Sequence, residues 1–110
     1  MALWVCLFDD DEEMLAVRSA RRAEHHAYLE AHRDQIVLAG ALLPQEGKPP
    51  TGAAWVLRVD SRAAADALIA QDPYFASGHR RYGLMEWKLA REPDQASLLS
   101  ALLPQGAKPA

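Results

Sequence analysis

The order of strand-like and helix-like segments is the feature of this chain that most constrains its fold. Two helical segments are each flanked by strand-like segments, which gives the order β-α-β-β-α-β. Two such split βαβ units form a four-stranded antiparallel sheet with both helices on one face, an α+β fold of the ferredoxin-like type. The predicted strands cover residues 2–8, 35–43, 53–60 and 79–89, and the predicted helices cover residues 11–33 and 62–70.

Local sequence signals support each of these elements. Residues 2–8 (ALWVCLF) are continuously apolar, which predicts a central strand covered on both faces. The acidic residues 9–13 fit a helix start, because carboxylates complement the positive end of the helix dipole. Residues 44–52 are rich in proline and glycine and predict a hairpin loop. Asp60 or Ser61 can cap the second helix.

The long helix carries two contrasting faces at helical spacing. One face contains only small residues, which would let another backbone approach closely: Ala16, Ala20, Ala23, Ala27 and Ala31. The other face places basic groups between leucines, which is unusual both for a core face and for a solvent face: Leu15, Arg18, Arg22, His25 and Leu29. In the strand that follows, Gly40 marks a bulge or a close approach of two backbones.

Length, charge and cysteine content limit the classes of function. Half of the 110 residues are apolar, which describes one soluble domain at 1–89, followed by a C-terminal extension at 90–110 with a short helix at 94–103. A net charge of −3 argues against nucleic-acid binding, which needs a basic surface. The apolar run at 2–8 is too short to span a membrane and lacks the basic start of a secretory signal. The single cysteine, Cys6, cannot form an internal disulfide, which predicts a cytoplasmic protein.

The predicted sheet has a second face that nothing in the chain covers. The third and fourth strands each carry a tryptophan, Trp55 and Trp87, which we assign to the core or to an interface. An uncovered apolar sheet face predicts self-association, most simply a twofold homodimer that packs sheet against sheet.

Few residues can carry chemistry. The chain has no glycine-rich phosphate loop, no zinc-ligand spacing and no Ser-His-Asp arrangement, so we predict neither a metal nor a cofactor. What stands out is Arg22-x-x-His25 on the long helix, together with an Asp-Pro-Tyr segment at 72–74. An aspartate followed by a proline fits the start of a short helical turn, which would close at Gly78.

These segments together resemble the YciI-like (YCII-related) family over residues 2–89. The resemblance is carried by RAEHHAYL at 22–29, LAG at 38–40, DPYFASG at 72–78 and EW at 86–87. It implies a dimeric ferredoxin-like fold, the α+β barrel, with a His–Asp pair in a cleft that takes a small-molecule ligand. Some relatives catalyse elimination or isomerisation, including a dehydrochlorinase of chloroaromatic breakdown.

Matching the family motif position by position assigns roles to individual residues. His25 would be the base that accepts a proton, and Asp72 would hold its other ring nitrogen. Arg22 would anchor an anionic group of the substrate. Tyr74 or Ser77 would donate a hydrogen bond to a developing oxyanion.

Two further positions and several alternatives stay open. Gly40 matches the family glycine at the end of the second strand and is assigned to the substrate-binding site. A shift of one position in the match would exchange His25 for His26. Asp72 can also be a plain helix cap, His25 a buried structural histidine and Arg22 the partner of a carboxylate.

The predicted function is a lyase or isomerase step on a small cyclic metabolite. The alternatives are a small-ligand sensor without catalysis and, by analogy of fold, a cofactor-free oxygenase.

Overall fold

The computed structural model describes residues 2–96 and confirms the predicted α+β architecture. The elements are β1 (Ala2–Asp10), α1 (Met14–Ala31), β2 (Ile36–Leu42), β3 (Gly52–Val59), α2 (Arg62–Ala70), a single 3-10 turn (Phe75–Ser77) and β4 (Arg80–Trp87). The four strands form one sheet in the order β2-β3-β1-β4, and all neighbouring strands are antiparallel. The helix predicted at 94–103 extends beyond the described residues. Within residues 2–96, no helix has the length and apolarity needed to cross a membrane.

The hydrophobic core lies between the two helices and the inner face of the sheet. Trp4, Cys6 and Phe8 point into it from β1, and Trp55 and Leu57 point into it from β3. β1 is central, as predicted, but residues 2–96 cover only one of its faces. Its burial alternates along the strand, so the expectation of cover on both faces is wrong for the single subunit.

The acidic cluster after β1 is divided between a strand and a helix start. Residues 9 and 10 continue β1 and pair with β4, so α1 begins at Met14 rather than at residue 11. Just before the helix, Asp11 Oδ1 accepts a hydrogen bond from the backbone N–H of Glu13 at 2.9 Å, but no side chain caps α1 itself. The helix α2 has the predicted bounds, and Ser61 caps it by accepting a hydrogen bond from the backbone N–H of Ala64.

The face of α1 that meets the sheet is not the alanine stripe. All five of those alanines are exposed, whereas Met14 and His25 are buried. Tyr28 is partly buried on the same side, and its hydroxyl donates to the backbone oxygen of Leu68, which ties α1 to α2. Burying large side chains removes more apolar surface from water than burying alanines, so the helix turns its larger residues inward.

The close backbone approach predicted at Gly40 occurs elsewhere. A Cβ atom on Gly40 would meet nothing nearby, and the irregularity in β2 falls between Ile36 and Leu38. Gly52 is the constrained position, because a Cβ there would collide with the backbone oxygen of Phe8 across the β1–β3 ladder. Gly40 therefore marks neither a bulge nor a close approach of two backbones, and that prediction was wrong.

Candidate active site

A cavity of about 140 Å³ lies between α1 and the inner face of the sheet. It is bordered by the polar side chains of Arg18, His25 and Arg80 and by the rings of Trp55 and Tyr74. A cavity of about this volume can hold a molecule the size of one benzene ring. The site is therefore large enough for a small molecule.

His25 and Asp72 meet beside this cavity. The Nδ1 atom of His25 lies 2.6 Å from Oδ1 of Asp72, although 47 positions separate the two residues in sequence. The histidine is 8% exposed and the aspartate is fully buried. Within residues 2–96, no hydrogen-bond partner occupies the other ring nitrogen of His25, Nε2. His26 is exposed and borders the cavity from its rim, so it is His25 that contacts the carboxylate.

The turn after α2 fixes the position of Asp72. Its Oδ2 atom accepts a hydrogen bond from the backbone of Phe75 at 3.2 Å, and its backbone oxygen accepts one from Ala76 at 2.9 Å. Gly78 ends the turn with a φ of 84°, a left-handed conformation that glycine adopts without steric cost. The capping role and the contact with His25 are therefore compatible, because each uses a different carboxylate oxygen.

Tyr74 and Ser77 do not present free hydroxyl groups to the cavity. The Tyr74 ring stacks on His25, and its hydroxyl donates to the backbone oxygen of Arg18 at 3.2 Å. The Ser77 hydroxyl donates to the backbone oxygen of Tyr74 at 2.7 Å, and Ser77 does not border the cavity. Both hydroxyl groups therefore already donate to backbone oxygens, and both hold the turn and the helix in place. Their assignment as oxyanion donors stays a prediction.

Arg22, the predicted anion anchor, is exposed and lies outside the cavity. The arginine that borders the cavity from α1 is Arg18. Seven residues make nearly two full helical turns, so Arg18 projects in almost the same direction as His25, whereas Arg22 projects about 60° away. Gly40 does border the cavity, from β2.

A buried ion cluster that the sequence analysis missed forms the far wall of the cavity. Asp10 Oδ1 accepts a hydrogen bond from Arg80 Nε at 2.7 Å, and its Oδ2 accepts from Nη2 of both Arg80 and Arg18 at 3.0 Å. Burial alone would raise the pKa of the Asp10 carboxyl, but the hydrogen bonds and charges of Arg80 and Arg18 outweigh it and lower the pKa below its ordinary value. The only signal for this cluster is the β1–β4 register, which places Asp10 opposite Arg80.

Other titratable groups of the core lie outside the cavity. Burial is the main cause that raises the pKa of the Cys6 thiol to about 12. A hydrogen bond to Asp66 is the main cause that raises the pKa of Tyr82 to about 12. Across residues 2–96, no three His, Cys, Asp or Glu side chains are grouped so that they could hold a metal ion.

Comparison with solved structures finds a protein of the same fold. The chain is similar to 5-chloro-2-hydroxyhydroquinone dehydrochlorinase (TftG) from Burkholderia phenoliruptrix AC1100, solved with 2,5-dihydroxybenzoquinone, at 24% identity and a TM-score of 0.70, over 78% of this chain and 93% of that one. It is also similar to a dimeric ferredoxin-like protein from an uncultured marine organism, at 10% identity and a TM-score of 0.49, over 84% of this chain and 100% of that one. A variant of SnoaB, a cofactor-independent oxygenase from Streptomyces nogalater, matches at 16% identity and a TM-score of 0.47, over 83% of this chain and 94% of that one.

Sequence comparison identifies the family. No curated protein sequence matches the chain. The sequence model of the YCII-related domain, however, matches residues 2–88, which is most of the chain. The protein therefore belongs to the YCII-related domain family.

Proposed function

We propose that the protein is an enzyme that carries out acid–base chemistry on a small cyclic metabolite, with His25 as the base. The observation that carries this proposal is the 2.6 Å contact between His25 and Asp72 at the edge of a cavity of single-ring size. A carboxylate on Nδ1 fixes the tautomer of a neutral imidazole, so that the lone pair resides on Nε2. It also stabilises the cation that forms when the ring takes up a proton.

The proposed reaction is an elimination or an isomerisation. His25 Nε2 removes a proton from a carbon next to a carbonyl group, or from a hydroxyl group on the keto tautomer of a hydroxylated ring, and the electron pair of the broken C–H or O–H bond forms a new double bond. In an elimination, the leaving group departs with its own electron pair; in an isomerisation, a proton returns at another atom. Neither outcome changes the overall oxidation state, so neither needs an external oxidant or reductant.

The likeness to TftG suggests the first substrate for an assay, 5-chloro-2-hydroxyhydroquinone. We expect the wild-type protein to release chloride from this compound, and His25→Gln to reduce the rate by about 10²-fold or more, the usual contribution of a general base. Asp72→Asn should also slow the reaction, since it removes the carboxylate that orients the ring. His32→Gln is the matched control, because His32 follows the last residue of α1, lies outside the cavity and makes no contact with Asp72.

A second assay separates proton transfer from loss of the leaving group. In heavy water, the ring hydrogens of 2,5-dihydroxybenzoquinone can exchange for deuterium, which proton NMR detects as a loss of signal. We expect the wild-type protein to accelerate this exchange and His25→Gln to abolish the acceleration. If His25→Gln matches the wild type in both assays, His25 is not a catalytic base. A ligand that binds and stays unchanged in both assays would identify a binding module instead.

We further propose that the protein works as a homodimer in the cytoplasm. Large apolar side chains are exposed on the outer face of the sheet, among them Leu7, Met85 and Trp87. Apolar surface of this kind on a sheet is typical of a contact with another subunit. Cys6 is a free and buried thiol, which fits a reducing compartment.

A further inference from the structure

His25 can exchange protons with the solvent only through a small part of its ring. Its Nδ1 atom lies 2.6 Å from Oδ1 of Asp72, and the Tyr74 ring covers one of its faces at a centroid distance of 3.8 Å. The residue is buried, and a ligand that fills the cavity of about 140 Å³ would separate Nε2 from water as well. A proton that His25 takes up therefore needs a route out of the cavity.

His26 lies where such a route would begin. Its ring centroid is 5.7 Å from that of His25, with the two ring planes inclined by 48°, so that one water molecule can bridge the rings. His26 is exposed and borders both the cavity and an open groove of about 440 Å³ between α1 and β2. Leu29 and Ala39 also border both spaces, so the cavity and the groove meet at these three residues.

We propose that His26 is the proton relay of the site, which carries the proton from His25 to the solvent in the groove. This role rests on the proposed function of His25 as a base and adds the step that restores that base. The proton passes from Nε2 of His25 to a ring nitrogen of His26, directly or through one water molecule. His26 then releases a proton to water or buffer, and both rings end the cycle neutral.

The surroundings of His26 leave its ring available for this transfer. An imidazole can take up and release a proton near neutral pH. Within residues 2–96, the His26 ring contacts that of His25, and neither of its ring nitrogens has a hydrogen-bond partner. His32 differs in this respect, because its Nδ1 atom lies 2.9 Å from the backbone oxygen of Tyr28 and the residue lies outside the cavity.

The first test measures the exchange of the His25 ring protons with water by NMR, on protein with isotopically labelled histidine. The cavity is filled with 2,5-dihydroxybenzoquinone, and the buffer is HEPES, a molecule too large to enter the cavity. We expect exchange in His26→Gln to be slower than in the wild type by about tenfold, since one proton-transfer group is lost. This measurement requires no turnover of the ligand.

The second test follows the uptake of deuterium by 2,5-dihydroxybenzoquinone in heavy water. A hydrogen that cannot leave His25 returns to the carbon from which it came, so His26→Gln should incorporate deuterium more slowly than the wild type. Added imidazole should restore the rate of this variant and leave the wild type unchanged, because the free ring replaces the missing relay. His25→Gln should stay inactive in imidazole, because the base itself is missing.

Two further variants separate a relay from a structural role of His26. His26→Phe keeps an aromatic ring at the mouth of the cavity but cannot transfer a proton, so it should behave like His26→Gln in HEPES. If the side chain acts only as a steric gate, His26→Phe should instead behave like the wild type. His32→Gln makes the same change outside the cavity and should match the wild type in both tests.

The outcomes distinguish failure of the relay from failure of the catalytic proposal. Wild-type exchange in His26→Gln, or a slow variant that imidazole does not restore, would overturn the relay. If His26→Gln matches the wild type while His25→Gln is inactive, His25 remains the base and only the relay is removed. If His25→Gln retains wild-type turnover, the catalytic proposal fails and the relay fails with it.

Discussion

Tyr74 lies flat against His25, with the two ring centroids 3.8 Å apart and the ring planes inclined by only 9°. The Tyr74 hydroxyl reaches past the histidine and donates to the backbone oxygen of Arg18, two helical turns earlier. The tyrosine therefore joins the turn after α2 to the middle of α1. It covers one face of the imidazole whose edge contacts Asp72.

This stacking predicts that the Tyr74 ring matters more than its hydroxyl. Tyr74→Phe keeps the ring and loses one hydrogen bond, so we expect the free energy of unfolding to fall by about 1 kcal/mol, with little change in turnover. An oxyanion donor, in contrast, would cost about 10²–10³-fold in rate when removed. Chemical denaturation and the chloride-release assay measure the two effects. Tyr82→Phe, which loses a hydrogen bond to Asp66 away from the cavity, is the matched control.

The buried carboxylate of Asp10 predicts a loss of stability in acid. Its pKa is lowered in the folded state, so the stability that it contributes is present above the ordinary value of about 4 and is lost as the pH falls toward the folded value. Asp10→Asn should remove this part of the pH dependence. It should also reduce the free energy of unfolding near neutral pH by roughly 3–5 kcal/mol, as for other buried ion pairs that lose one partner.

Urea unfolding at a series of pH values measures the effect of Asp10. Asp34→Asn is the control, because Asp34 is exposed and its carboxylate has no partner among residues 2–96. If Asp10→Asn and Asp34→Asn show the same pH dependence as the wild type, the interaction of Asp10 with the two arginines contributes no net stability.

Cys6 should be inert in the folded protein. Its side chain is fully buried, and burial is the main cause that raises the pKa of the thiol to about 12, so almost no thiolate forms at mildly alkaline pH. We expect iodoacetamide to leave the native protein unmodified and to alkylate it in concentrated guanidinium chloride, as measured by mass spectrometry. Rapid labelling under native conditions would contradict the burial of this residue.

The outer face of the sheet should govern self-association. We expect a mass of about twice 12.1 kDa in light scattering. Leu7→Glu, which places a charge at the centre of that face, should shift the protein to the monomer. Leu15→Glu is a close control, since Leu15 is 44% exposed on α1 and Leu7 is 45% exposed on β1. A monomeric wild type, or equal effects of both variants, would remove the proposed interface.

The fold could be predicted from the sequence because its signals are local. Ser61 caps the start of α2, and Gly78 ends the turn that follows this helix. Alternating burial in β3 matches the alternation of its residues between the two sides of the sheet. The contact between His25 and Asp72 was expected from the family resemblance, since spacing alone does not bring together two positions 47 residues apart.

The ion cluster of Asp10, Arg18 and Arg80 could not be predicted, because these residues come together only in three dimensions. In sequence, Asp10 belongs to an acidic run that is typical of a helix start, and Arg18 and Arg80 are ordinary in their local sequences. They meet because β1 extends by two residues beyond the predicted end and pairs with β4. The face of α1 that meets the sheet could not be predicted either. Both stripes have helical spacing, and only packing decides which of them faces the sheet.

The stack of Tyr74 on His25 carries a stereochemical consequence. With one ring face covered and Nδ1 held by Asp72, a ligand can reach Nε2 only along the exposed edge of the imidazole. Hydrogen that His25 removes from the ligand, or returns to it, would then leave or enter on one prochiral face of the ligand. A ligand held in one orientation beside this fixed ring would therefore yield a single enantiomer whenever the reaction leaves a tetrahedral carbon.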